Sequence, residues 1–152
     1  MPAIPATTIS QMAIEGFISQ PISPEVAAIV NRYALNVIAR QPVNLQGAHD
    51  AFLTALRNDQ AIPQNIRTLA EIRLNRTFFL FNQLRDNRAN FDAGLQANDN
   101  NISDFLQTPV AQELNQQYRQ HAEGLRRVLP EDVFRGILPY ATPRPIRSVP
   151  PE

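Results

Sequence analysis

Apolar residues along this chain recur at intervals of three and four, the spacing that keeps one face of an α-helix in register. Val26, Ile29, Val30, Tyr33, Val37 and Ile38 make one such stripe, opened by Ser23-Pro24-Glu25: an N-cap, a proline where no N–H is missed, and an acid beside the positive helix end. The stripe predicts a helix from Ser23 to about Arg40. Before it, Ile9, Met12, Ala13 and Phe17 predict a shorter helix over Thr8 to Ser19. Asn44 caps a third, to about Asn58, with Leu45, Ala48, Phe52, Ala55 and Leu56 turned inward.

The fourth stretch, about Pro63 to Asn87, carries Ile66, Leu69, Ile72, Leu74, Phe78, Phe79, Leu80, Phe81 and Leu84. These positions cover nearly the whole circumference, so this helix is expected to be central or shared between subunits. From Asp86 to Ile102 apolar groups thin out and Asn and Asp crowd in, which reads as a fraying extension followed by a loop. Thr108-Pro109 opens a long helix to about Val128, with Val110, Leu114, Tyr118, Leu125 and Val128 as a narrow stripe. Leu129-Pro130-Glu131-Asp132 starts a last short helix to about Leu138. From Pro139 onward five prolines in fourteen residues argue against regular structure.

Strand-length alternation, internal repeats and Asn-Gly or Asp-Gly hairpin turns do not occur. The fold class is therefore all-α: a single helical bundle of five to seven helices over residues 8–138. Extended proline-containing arms are expected at 1–7 and 139–152. A chain of 152 residues suits one domain with one core.

Composition changes the picture at one point: all fourteen cationic side chains are arginine and none is lysine. Guanidinium offers a planar, permanently charged fork, whereas the missing ammonium is the group that forms Schiff bases, fills phosphate loops and accepts acyl or ubiquitin-type attachments. The absence of cysteine removes thiol nucleophiles, disulfides and thiolate metal sites. Thirteen Asn and thirteen Gln add uncharged side chains that both donate and accept hydrogen bonds. Acids and bases balance at fourteen each, so no global field steers the chain toward nucleic acid or anionic lipid. No apolar run reaches the ~20 residues of a membrane span, and the first residues lack the pattern of a secretory signal. The expectation is a soluble protein made in the cytoplasm, with no membrane partner.

Candidate chemistry is sparse. His49 and His121 belong to no spaced ligand set and are read as hydrogen-bonded residues bordering apolar faces, so no metal or other cofactor is expected. None of the five serines lies in a nucleophile elbow, and Glu131-Asp132, an adjacent acid pair, sits at a helix start where acids favour the dipole. Catalytic residues are accordingly not assigned.

Arg73 and Arg76 are more informative, because their helical angles fall inside the arc of Leu69, Leu80 and Leu84. A guanidinium there must snorkel outward or find a partner: an acid such as Asp50, Asp104 or Glu113, another subunit, or, as the less favoured choice, a nucleic-acid phosphate. With Phe78, Phe79 and Phe81 on the same helix and Arg144 and Arg147 in the C-terminal arm, these are the candidate interface residues. Arg67 with Glu71, Arg88 with Asp92 and Glu123 with Arg127 are expected as i,i+4 pairs.

The composition points to a non-enzymatic structural subunit of a large assembly, of the viral or phage virion type (coat, cement or connector), self-associating as a homo-oligomer. A lysine-free host-directed effector or inhibitor acting by protein–protein binding is the alternative. A small-molecule enzyme is the third class.

Overall fold

The computed structural model describes residues 15–141, all helix and short connections. After a helical stretch over 15–19 (α1), the elements are α2 (Pro24–Tyr33), continued by a π-helical turn (Ala34–Ile38), α3 (Leu45–Arg57), α4 (Gln64–Ala97), α5 (Ile102–Leu106), α6 (Pro109–Val128) and α7 (Glu131–Ala141). Strands do not occur among the described residues, and the all-α bundle is the observed fold. Residues 1–14 and 142–152 lie outside the described residues; they include the whole expected arm at 1–7, most of that at 139–152 with Arg144 and Arg147, and Ile9, Met12 and Ala13 of the helix expected over Thr8 to Ser19.

Side-chain caps start four of these helices. Ser23, Asn44 and Thr108 accept from Val26, Gly47 and Ala111 backbone N–H groups, as their positions in the sequence suggest, and Asn101 does the same for Asp104 at the head of α5. Beyond Tyr33 the chain widens into a π-turn, with Ala39 N–H bonding to Ala34 C=O. The wider turn lets Ala34, Val37 and Ile38 all face the core.

α4 is the spine. Its 34 residues span about 50 Å at 1.5 Å each, and α2, α3, α5, α6 and α7 all pack on it. α6 runs antiparallel to it: Asn87 faces Leu114, Gly124 lies on Leu80, and Arg73 reaches Val128. The expected central placement of this helix is what the packing shows.

Several boundaries and faces differ from the periodicity. α4 does not fray at Asn87 but continues ten residues to Ala97, because Leu95, with Phe91 partly buried beside it, forms a second small core with Phe105, Ala111 and Leu114. It ends in a Schellman motif, with Asn100 N–H bonding to Leu95 C=O and Asp99 N–H to Gln96 C=O. Asp99 and Asn100 take the left-handed conformation, at φ 57° and 59°, that glycine usually supplies and that Asx side chains tolerate. α7 runs through Pro139 to Ala141 rather than stopping at Leu138. Ile137 and Ala141, both buried and one turn apart, carry the helix past the missing N–H.

Three inward-facing assignments are also corrected. Ile18, not Phe17, is buried in α1; Ala55 and Val110 are exposed; and the buried line of α3 runs through Leu45, His49, Leu53 and Leu56.

Candidate functional site

Arg73 lies almost entirely inside the molecule, at 4% exposure. Among the described residues its guanidinium meets no acid. One terminal nitrogen donates to the carbonyls of Arg127 (3.5 Å) and Val128 (3.2 Å), the other to those of Phe17 (3.1 Å), Ile18 (3.4 Å) and Gln20 (2.9 Å). These are carbonyls at the C-terminal ends of α1 and α6, where the helical ladder runs out and the negative end of each dipole lies; Phe17's also accepts the Gln20 N–H. A single planar fork thus closes two helix ends at once. Burial draws the Arg73 guanidinium below its ordinary value. The expected acids are engaged elsewhere: Asp50 accepts from Gln46, and Glu113 from Gln117.

Arg76, one turn along, pairs with Glu15 of α1 at 2.8 Å, and Arg127 approaches the other oxygen of the same carboxylate at 3.4 Å. The Arg76 hydrogen bond holds the Glu15 carboxyl below its usual range. Arg73 and Arg76 are brought together on α4, but as a clasp that fastens α1 to the bundle. Of the expected i,i+4 pairs only Arg88–Asp92 forms, at 3.1 Å. Glu71 is taken instead by a two-pronged contact from Arg57 on α3 (2.9 and 2.7 Å), and Glu123 by Arg126.

The three phenylalanines separate as their angles require. Phe81 is buried in the main core, Phe78 is half-buried, and Phe79 is 56% exposed. Phe78 covers a buried polar chain that spacing alone did not reveal: Tyr33 Oη lies 2.8 Å from His49 Nδ1, and His49 Nε2 lies 3.1 Å from Asn75 Oδ1. With Asn75 presenting oxygen, the consistent arrangement is Nε2–H donating outward and Nδ1 accepting from the tyrosine hydroxyl. Burial draws His49 below its ordinary value, against the opposing pull of Asn75, Asp50 and Glu71. Burial, helped by Asp50, raises the Tyr33 hydroxyl. Both groups are neutral near pH 7, and the tyrosine remains a donor.

Comparison with family models, with curated proteins and with solved structures gives no match.

The described surface carries a groove of about 430 Å³ between α4 and α6. Phe91, Ala111 and Tyr118 form its apolar lining, Asn87, Gln112 and Asn115 its amides, and Arg88 its cation; Leu106 of α5 stands at its edge, 50% exposed. Asn87 is held by a hydrogen bond from Nδ2 to the Leu114 carbonyl (2.8 Å). No sequence signal pointed here, because the groove exists only once α4 continues past Asn87. Among the described residues no group of three or more His, Asp or Glu is arranged to hold a metal, and no helix is long and apolar enough to cross a membrane.

Proposed function

We propose that this chain is a structural subunit that works by binding other subunits, with the α4–α6 groove as its principal contact surface. The observation that carries this reading is the make-up of the groove and its edge. Aromatic side chains, an arginine and exposed Leu106 are gathered there, with amides around them and no lysine or unpaired acid. Interfaces are enriched in aromatic residues and arginine and depleted in lysine and glutamate, because the latter are costly to desolvate. Val110, which adjoins Ala111 in sequence, is 59% exposed and is a further apolar group at the head of α6.

A second copy of the chain is the favoured partner. Amide side chains donate and accept equally, so a surface built from them is compatible with its own copy, and a chain with balanced charge does not repel itself. A virion component of coat, cement or connector type is the setting that the lysine-free, amide-rich composition supports.

Sedimentation velocity over a range of concentrations tests the reading. The wild-type chain is expected to form oligomers, and the double variant Leu106→Glu, Val110→Glu to remain monomeric with unchanged helical circular dichroism. A wild-type chain that stays monomeric up to its solubility limit rejects self-assembly.

A further inference from the structure

A second cleft, of about 380 Å³, lies along α4 from Phe81 to Asp92, between the end of the π-turn, the link at Gln41 and Pro42, and the end of α7. Its construction differs from that of the first groove. Ile38 and Phe81, both buried, lie at its base, and Tyr140 forms a side. Arg85 and Arg88, one helical turn apart, both line it.

These two guanidiniums are incompletely used. Arg85 has no carboxylate partner among the described residues; its guanidinium carbon sits 5.8 Å from the centre of the Phe81 ring. Arg88 approaches Asp92 through Nε at 3.1 Å and lies 5.7 Å from the centre of the Phe91 ring, while its terminal nitrogens donate to nothing among the described residues. Arg57, Arg76, Arg126, Arg127 and Arg135 each have a carboxylate, whereas Arg32, Arg40, Arg67 and Arg119, like Arg85, have none among the described residues; what sets Arg85 apart is its place beside Arg88 in a cleft. Asp92 offsets one of the two charges, which leaves the cleft with a single positive excess.

The backbone around the cleft is also unusual. Gln41 holds a left-handed conformation at φ 47°, which a residue with a side chain adopts at a cost, and the π-turn ends at Ile38. π-turns are frequent at functional sites. Both irregularities border the same cleft.

We propose that this cleft binds a small ligand with an oxyanion, carboxylate or phosphate, on a compact apolar body. Arg85 and the terminal nitrogens of Arg88 take the oxyanion, and the Ile38–Phe81 base with Tyr140 takes the apolar part. A planar guanidinium matches either oxyanion through paired N–H donors, and the cleft volume lies in the range of small-molecule sites. Arg88 also borders the α4–α6 groove, so the assignment shares that residue with the proposed contact surface, whereas Arg85 lines this cleft and not the groove.

The test is an NMR titration of the full chain with phenyl phosphate, benzoate, inorganic phosphate and, as the uncharged control, benzyl alcohol. Saturable shifts are expected at amides of residues 38–45, 85–92 and 137–141, with phenyl phosphate or benzoate binding more tightly than inorganic phosphate and benzyl alcohol not binding. The tighter of the two aromatic anions identifies the oxyanion. Arg85→Gln should weaken binding roughly ten-fold or more, the loss of a charge-assisted contact, while Arg85→Lys recovers only part of it. Arg85 is exposed and unpaired, so neither change should disturb the fold, and Arg119→Gln on α6 serves as the control that leaves affinity unchanged. Shifts that fail to saturate, that spread over arginines elsewhere, or that survive Arg85→Gln would overturn the assignment. Inorganic phosphate binding as tightly as phenyl phosphate and benzoate would overturn the role of the apolar base.

Discussion

His49 lies flat against Phe78, their ring centres 4.2 Å apart and their planes 16° from parallel, while Tyr33 meets the imidazole edge-on at 5.6 Å. Both ring nitrogens are used in the neutral form, and protonation would force the Tyr33 hydroxyl to give up donating and become an acceptor. Burial holds the imidazole's folded pKa below its unfolded value of 6.5. The unfolded chain binds the proton first, so stability is full above that value and falls as pH drops through 6.5 toward the folded pKa. The carboxyls of Glu15 and Glu71, held down by Arg76 and Arg57, give up their contributions only at lower pH, below 4.5. Urea denaturation at about pH 7.5 and about pH 5.5, either side of the unperturbed imidazole value, should show wild type losing stability on acidification and His49→Gln losing markedly less. Equal losses in the two proteins would contradict a neutral buried His49.

Arg73→Lys should destabilise the chain by about 2–4 kcal/mol, because an ammonium keeps the charge but cannot span carbonyls on two helix ends and leaves several without a donor. Arg76→Lys, at a half-exposed pair with Glu15, should cost about 1 kcal/mol or less. Chemical denaturation of the two variants checks the contrast. Similar small losses in both would mean that the carbonyl ends of α1 and α6 do not depend on the guanidinium fork.

The pair also shows how far the sequence could be read. Helical periodicity placed Arg73 in an apolar arc, where a guanidinium has to be paired, snorkel outward or face another molecule, and of these the fold realises pairing. It could not name the partner, since the carbonyls of Gln20 and Val128 are backbone groups brought in from more than fifty residues away on either side. Local signals worked where the chemistry is local: Ser23, Asn44 and Thr108 cap the helices they precede. They failed where tertiary packing overrides propensity. Leu95 and Phe91 hold α4 together through an Asn-rich stretch that looks like a loop, and Ile137 and Ala141 do the same across Pro139. The α4–α6 groove was hidden for the same reason, because its Phe91 edge depends on that continuation.

Phe81 and Phe79 provide a paired test of the surface. Phe81→Ala should cost about 3–5 kcal/mol, as expected for a buried aromatic residue. Phe79→Ala should fall within about 0.5 kcal/mol of wild type in the monomer, since the ring is mostly in solvent. Thermal or urea melts at low concentration measure both. If Phe79→Ala is neutral there but lowers the sedimentation coefficient at high concentration, this exposed ring is a second contact between subunits; no change in either measurement confines assembly to other surfaces.

Gly94 tests whether the small second core matters to the fold. A Cβ built there would lie 2.6 Å from Cε1 and Cζ of Phe105, inside any normal contact distance. In an exposed helix, glycine to alanine is stabilising by about 1 kcal/mol. Here the ring has little room to give way, because Phe105 is buried against Leu95, Ala111 and Leu114, with Phe91 edge-on at 5.0 Å. Overpacking costs about 1–3 kcal/mol, so Gly94→Ala should be destabilising on balance even though it favours the helix. Gly136, with nothing near its Cβ position in the exposed part of α7, is the matched control, and Gly136→Ala should stabilise. Hydrogen exchange at amides of residues 95–114 would locate the effect: faster exchange confined to this region in Gly94→Ala places the strain in the second core, and a stabilised Gly94→Ala protein would show that α5 is not packed closely on α4.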